Sequence, residues 1–214
     1  MTETEWLAAV ESEPMLKVLR GSASERRLRL FASASFRRLK ELLPDPRQHL
    51  GIDVLEQLAE GKTTWTECRA VIAGVRNAMP RNDQIPMPIP FNDPYFISLM
   101  LYREFCSRTI GIHASTATGG LVDGAREQYE QARLIRDIFG NPFRPVTLNP
   151  SWLTSTVVAL TNGIYEERAY DRMPILADAL QDAGCDNEDV LSHCRESGKH
   201  WRGCWCVDLI LNKK

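Results

Sequence analysis

The chain has 214 residues, 43% of them hydrophobic and 25% charged, with a formal net charge of −2. A chain of this length buries one large core or two small ones without needing a covalent staple. The charge balance excludes a protein that is basic throughout, although not a local basic patch. No apolar run approaches the roughly 20 residues that span a bilayer. The acidic start Met1-Thr-Glu-Thr-Glu-Trp6 lacks the basic and apolar regions of a secretion signal. A cytoplasmic protein with no membrane partner is the expectation. Six cysteines in such a chain are not a dense disulfide framework, and read instead as buried thiols, ligands or a nucleophile.

Helical periodicity dominates along the chain. Thr4 is a candidate cap for a first helix through Glu11, and Pro14 suits the first turn of a second that ends at Gly21. Ser24 opens a long third helix to Leu43, ahead of Pro44. Residues 47–60 and 65–79 form two more; Gly61 stops the first, and Thr64 with Glu67 makes a capping box for the second. Residues 80–94 hold five prolines, a density that no helix or central strand survives. They read as an extended crossing whose Ile85, Met87, Ile89 and Phe91 lie against a core. A sixth helix follows from about Asp93 to Ile112, then a loop over 114–120, whose Gly119-Gly120 is no phosphate loop because no Gly-Lys-Ser/Thr follows. His113 beside it is a lone structural histidine. Asp123 caps a seventh helix to Phe139, with Ala125, Ala132, Ile135, Ile138 and Phe139 on its core face. Gly140 to Val146 is a rigid turn, from which Arg144 can present its fork to a carboxylate or phosphate. Asn149-Pro150 opens an eighth helix over 151–168, Asp171 caps a ninth to Ala183, and Asp186 or Asn187 caps a short tenth. The apolar stretch 204–211 is a helix or a strand. The expected fold is all-α: a single compact domain of about ten helices, with halves 1–79 and 95–214 joined by the Pro-rich segment.

Chemistry-bearing residues concentrate near the end. Cys185, His193, Cys194, His200, Cys204 and Cys206 are four of the six cysteines and two of the four histidines. Zinc asks for four N or S ligands in a tetrahedron, and His193, His200, Cys204 and Cys206 are candidates, although their spacing matches no familiar finger or ribbon. His193 and Cys194 point about 100° apart on a helix, so one of them ligates at most. Packing is the plainer reading: buried cysteines behave as small hydrophobes, and Trp201 and Trp205 stand beside them. A third reading makes Cys204 a nucleophile, with His200 as base and Asp208 as its orienting acid.

A basic stripe on the third helix is a further candidate. On a helical wheel Arg26, Arg29, Arg37 and Lys40 cluster on one side and Leu28, Ala32, Leu39, Leu42 and Leu43 on the other. Such a stripe fits nucleic acid or an acidic partner. Its plainer reading is a solvated face paired with acids elsewhere, for which Asp178, Asp182, Asp186, Glu188 and Asp189 are available.

Several stretches carry a resemblance: Glu5-Trp-Leu-Ala, Pro14-Met-Leu, Leu28-Arg-Leu-Phe-Ala, the string Leu134-Ile-Arg-Asp-Ile-Phe-Gly-Asn-Pro-Phe-Arg-Pro-Val146, Asp171 to Leu180, and His200-x-Arg-Gly-Cys-Trp205. In these the chain resembles a family of uncharacterised bacterial proteins, over most of its length except about 60–125. The resemblance transfers no activity. It also marks a departure: relatives often carry cysteines where this chain has Ser33, Ser35 and Phe36, so a metal or redox site built on those cysteines would be incomplete here, which argues against a shared metal role for that helix and leaves the C-terminal cluster untouched. The leading expectation is a non-enzymatic interaction or structural module with a protein partner. The alternatives are a zinc-binding protein, a Cys-dependent enzyme and a nucleic-acid binder.

Overall fold

The computed structural model describes residues 1–43, 45–78 and 124–213. The Pro-rich segment, the helix expected over 93–112, His113, the loop at 114–120 and the Asp123 cap lie outside the described residues. The fold is all-α, and the described residues contain no strand. The chain divides into two compact units, Met1–Ile135 and Arg136–Lys214.

In the first unit α1 (Glu3–Ala8) is capped by Thr2, not Thr4. The Thr2 hydroxyl accepts from the Glu5 amide while Glu5 accepts from the Thr2 amide, a complete capping box that satisfies two otherwise orphaned donors. Helix α2 is Ser12–Leu19. Helix α3 (Glu25–Arg38) begins at the expected Ser24 cap but ends early, the chain tightening into a 3-10 turn at Lys40–Leu42. Helix α4 is Pro46–Ala59, with Pro46 in its first turn and an Asp45/Gln48 capping box. The Thr64/Glu67 box forms as expected, yet it nucleates only a turn, and α5 runs Arg69–Asn77.

Helix α3 packs on α4, and α4 on α5. Ala32, Phe36 and Leu39, spaced four and three apart, meet Ile52, Leu55 and Leu58 of α4 and Val75 of α5. Helix α3 is not a one-sided amphipath, because every residue from Leu30 to Phe36 is buried. Two of these are polar, and both are satisfied: the Ser33 hydroxyl donates to the Ile52 carbonyl at 3.2 Å and the Ser35 hydroxyl to Gln131 Oε1 at 2.7 Å.

Helix α6 (Gly124–Phe139) delivers its last residues, Arg136–Phe139, to the second unit. There Asn149 and Pro150 open only a 3-10 turn, Pro150–Trp152. Helix α7 starts later, at Ser155–Glu167, because Thr154 is the residue whose hydroxyl caps it. Asp171 likewise lies in a 3-10 turn, Tyr170–Arg172, ahead of α8 (Met173–Asp182). Asn187 caps α9 (Glu188–Arg195), and residues Trp205–Ile210 form a helix, α10. Helix α8 packs on α7 and α9, and α10 on α7 and α9, around Val157, Ile164, Tyr165, Leu176, Leu180, Val190 and Val207. Cys185, Cys194, Cys204 and Cys206 all belong to this core.

Phe36 is fully buried at the α3–α4 contact. Phe36→Ala should cost about 3–5 kcal/mol of stability by lost burial and the cavity left behind. Urea denaturation followed by circular dichroism checks this, and a loss under about 1 kcal/mol would contradict the packing described.

Candidate metal centre

Four side chains in the second unit converge on one point: Asp137 from the last turn of α6, His193 from α9, His200 from the α9–α10 connection and Cys204 just before α10. One ligand-type atom from each lies within 4.8 Å of all the others. All four are buried, Cys204 completely.

Backbone chemistry fixes this convergence. Asp137 lies one helical turn before Gly140, which adopts φ +69, a left-handed conformation that glycine takes up most readily. A Cβ on Gly140 would stand 3.2 Å from the Trp205 ring, so the missing side chain also lets the turn close on α10. Asn141 Oδ1 then accepts from the Phe143 amide, tightening the turn. On the other side Arg202 anchors the α9–α10 connection. Its Nη2 donates to the Tyr165 carbonyl at 2.8 Å, and its guanidinium lies 4.4 Å over the Tyr165 ring. Arg144, by contrast, reaches Asp189 at 3.6 Å in an exposed pair that contributes little.

Within the cluster, His200 Nδ1 is 2.7 Å from Asp137 Oδ1, and Asp137 Oδ2 accepts from the Trp201 amide at 2.9 Å. His193 Nε2 is 3.1 Å from Cys204 Sγ and 3.5 Å from Asp137 Oδ1. His200 Nδ1 is also 3.8 Å from Cys204 Sγ. The two imidazoles meet edge to face with centroids 4.8 Å apart. His200 Nε2 is buried and finds no hydrogen-bond partner among the described residues.

This pattern separates two chemistries. A Cys-His-Asp triad uses both imidazole nitrogens, one toward the thiol and the other toward the acid. Here each histidine turns the same nitrogen to both the sulfur and the carboxylate. All four donor atoms therefore face a common centre, which is how ligands surround a cation. The spacings agree: ligands 2.0–2.3 Å from zinc in a tetrahedron stand about 3.3–3.7 Å from one another. Four of the six pair distances, 2.7 to 3.8 Å, straddle that range, and the widest separation in the cluster, up to 4.8 Å, would have to shorten by about an ångström around an ion.

Electrostatics point the same way. Burial holds the His193 imidazole down to about 4, Asp137 opposing and His200 reinforcing the shift, so it is neutral and free to ligate near pH 7. Burial, with the Asp137 charge beside it, pushes the Cys204 thiol well above its ordinary value. Without a cation Cys204 is therefore a protonated, inaccessible thiol, the opposite of an activated nucleophile.

Of the residues marked out in sequence, His193, His200 and Cys204 come together. Cys206 does not join them: its sulfur lies 3.4 Å from Cys194 Sγ instead. Asp208 is buried but stands outside the cluster, where the carboxylate is that of Asp137. Asp137 was missed as a site residue because it is far away in sequence, although it sits inside the long Leu134–Val146 string.

The basic stripe on α3 is engaged within the first unit. Arg26 pairs with Glu60 at 2.9 Å, Arg37 with Asp53 at 2.9 Å and Glu56 at 3.2 Å, and Arg29 with Glu25 at 2.7 Å while lying over the Trp65 ring. Arg38 forks onto Glu127 at 3.0 and 2.8 Å, and Lys40 is exposed. The acids come from α3, α4, the residue that follows α4, and α6, not from the 178–189 stretch, where Asp178 pairs with Arg195. Comparisons with protein-family models, with curated proteins and with solved structures found no match.

His193 makes the stability of the metal-free protein depend on pH. The unfolded imidazole takes up its proton near 6.5 and the folded one only near 4. Between those values the unfolded state binds more protons, so stability is full above pH 6.5 and falls as pH drops toward 4, by on the order of 3 kcal/mol. Urea unfolding at several pH values checks this. His193→Gln should remove that part of the slope, and an unchanged slope in the variant would assign it elsewhere.

Proposed function

We propose that the second unit is a zinc-stapled structural module, with one Zn²⁺ held by Asp137 Oδ1, His193 Nε2, His200 Nδ1 and Cys204 Sγ. The observation that carries this reading is the convergence of four buried ligand atoms within 4.8 Å, each histidine offering a single nitrogen to the common centre. Charge supports it. One carboxylate, one thiolate and two neutral imidazoles carry −2, which a divalent ion cancels, so the filled site buries no net charge. A thiolate with two imidazoles favours zinc over magnesium or calcium, which select oxygen.

The role we assign is structural. A catalytic zinc keeps one position open to water or substrate, whereas a structural one is closed by four protein ligands. Here all four positions are filled from the protein and are buried. The Trp201 amide on Asp137 Oδ2 fixes the carboxylate for monodentate binding through Oδ1. The two strings that frame the site, around Asp137–Gly140 and His200–Trp205, are among the six stretches that carry the resemblance to the bacterial family. We propose with it a scaffold or interaction role in the cytoplasm, with the partner recognised by surfaces other than this buried centre.

Metal analysis of untagged protein purified without chelator tests the reading. The expected result is one zinc per chain, retained through gel filtration. Cobalt should replace it with the intense visible bands of a tetrahedral site and a thiolate charge-transfer band. Cys204→Ser should lose that charge-transfer band and weaken binding at least about tenfold. Chelation should lower the unfolding temperature of the wild-type protein. Protein that neither contains zinc nor takes it up at micromolar concentration would overturn the proposal.

A further inference from the structure

The second unit holds another sulfur pair that the metal centre does not use. Cys194 in α9 and Cys206 in α10 place their sulfurs 3.4 Å apart, and both side chains are completely buried. Among the described cysteines this is the pair in sulfur–sulfur contact. Cys204 sits close enough to influence both sulfurs electrostatically, but its own hydrogen-bond partners are His193 and His200.

We propose that Cys194 and Cys206 are a redox-closable dithiol, forming a reversible disulfide that covalently joins α9 to α10. A disulfide needs the sulfurs about 2.05 Å apart, so they must approach by roughly 1.4 Å. The two helices are in contact, and rotation of the two cysteine side chains is the movement the proposal requires. The oxidant is a low-molecular-weight disulfide such as oxidised glutathione. One cysteine thiolate attacks it, forming a mixed disulfide and releasing one glutathione thiolate. The second cysteine then attacks the protein sulfur of that mixed disulfide, forming the Cys194–Cys206 bond and releasing the second glutathione. Two protein thiols are oxidised, and one glutathione disulfide is reduced to two thiols that take up the two protons.

The consequence follows from where the bond closes. It encloses the connection that carries His200 and Cys204, and it starts one residue after His193. Closing that loop restricts the unfolded chain and holds the α9–α10 connection near its folded shape. The unit then keeps its form when metal is scarce. Access comes through local opening of α10, which has six residues and is too short to stand without its packing. Oxidation is therefore slower than at an exposed thiol and faster in mild denaturant.

The test uses the full chain, with metal content recorded before and after, so that its outcome is separate from that of the zinc reading. Protein is equilibrated in a series of oxidised-to-reduced glutathione ratios, alkylated and mapped by peptide mass. The expected result is loss of two thiols, a mass lower by two hydrogens, a Cys194–Cys206 crosslinked peptide and full reversal by dithiothreitol. The oxidised protein, once chelated, should also melt at a higher temperature than the reduced protein. Cys206→Ser should yield a stable glutathione adduct on Cys194 in place of the crosslink. A wild-type protein that carries only glutathione adducts, pairs different cysteines, or keeps both thiols at every ratio would overturn the proposal.

Discussion

The second unit depends on a carboxylate that has been taken out of water. Asp137 is 6% exposed, and an isolated buried carboxylate is among the most costly groups a fold can contain. Its two oxygens are spoken for on opposite sides, Oδ1 by His200 and His193 and Oδ2 by the Trp201 amide. Those partners lie on α9 and on the connection to α10, so satisfying one anion gathers three segments that are far apart in the chain. The rest of the unit is arranged to permit this. Gly140 turns the chain away just after Asp137 and admits Trp205. Arg202 pins the connection to Tyr165 from the other side.

Hydrogen bonds alone do not complete this centre. Burial disfavours a charged His193, and Cys204 remains a neutral thiol without a cation. The divalent ion we propose would answer this at once. It would let the thiol ionise, take both imidazoles as neutral ligands and cancel the combined charge of carboxylate and thiolate. The first unit reaches balance differently: Ser33, Ser35, Arg26 and Arg37 find protein partners within the same unit. One unit is thus held by conventional packing with peripheral ion pairs, the other by packing around a polar centre.

The sequence made the helices legible wherever a cap and a periodic face coincide, as at Ser24, Asn187 and the face of α6 that holds Ala132, Ile135 and Ile138. It misplaced the starts of α5 and α7 because Thr64 and Asn149 satisfy local donors without committing the following residues to an α-helix. Of the candidate metal set, His193, His200 and Cys204 could be picked out because they are close in sequence and of ligand type. Asp137 could not, since nothing local distinguishes an acid on a helix face from any other solvated one. Cys206 looked equivalent to Cys204, yet two residues along the chain turn its sulfur to Cys194. The partners of the basic stripe were also illegible, because Arg26 and Glu60 meet only through the packing of α3.

The most direct measurement of the central claim is X-ray absorption at the zinc edge on the purified full chain. The account predicts a four-coordinate ion with one sulfur at about 2.3 Å and three nitrogen or oxygen ligands at about 2.0–2.1 Å, including the outer-shell signature of two imidazoles. A site with two or more sulfurs, or an ion surrounded mainly by water, would contradict the assignment of Asp137, His193, His200 and Cys204 as its ligands.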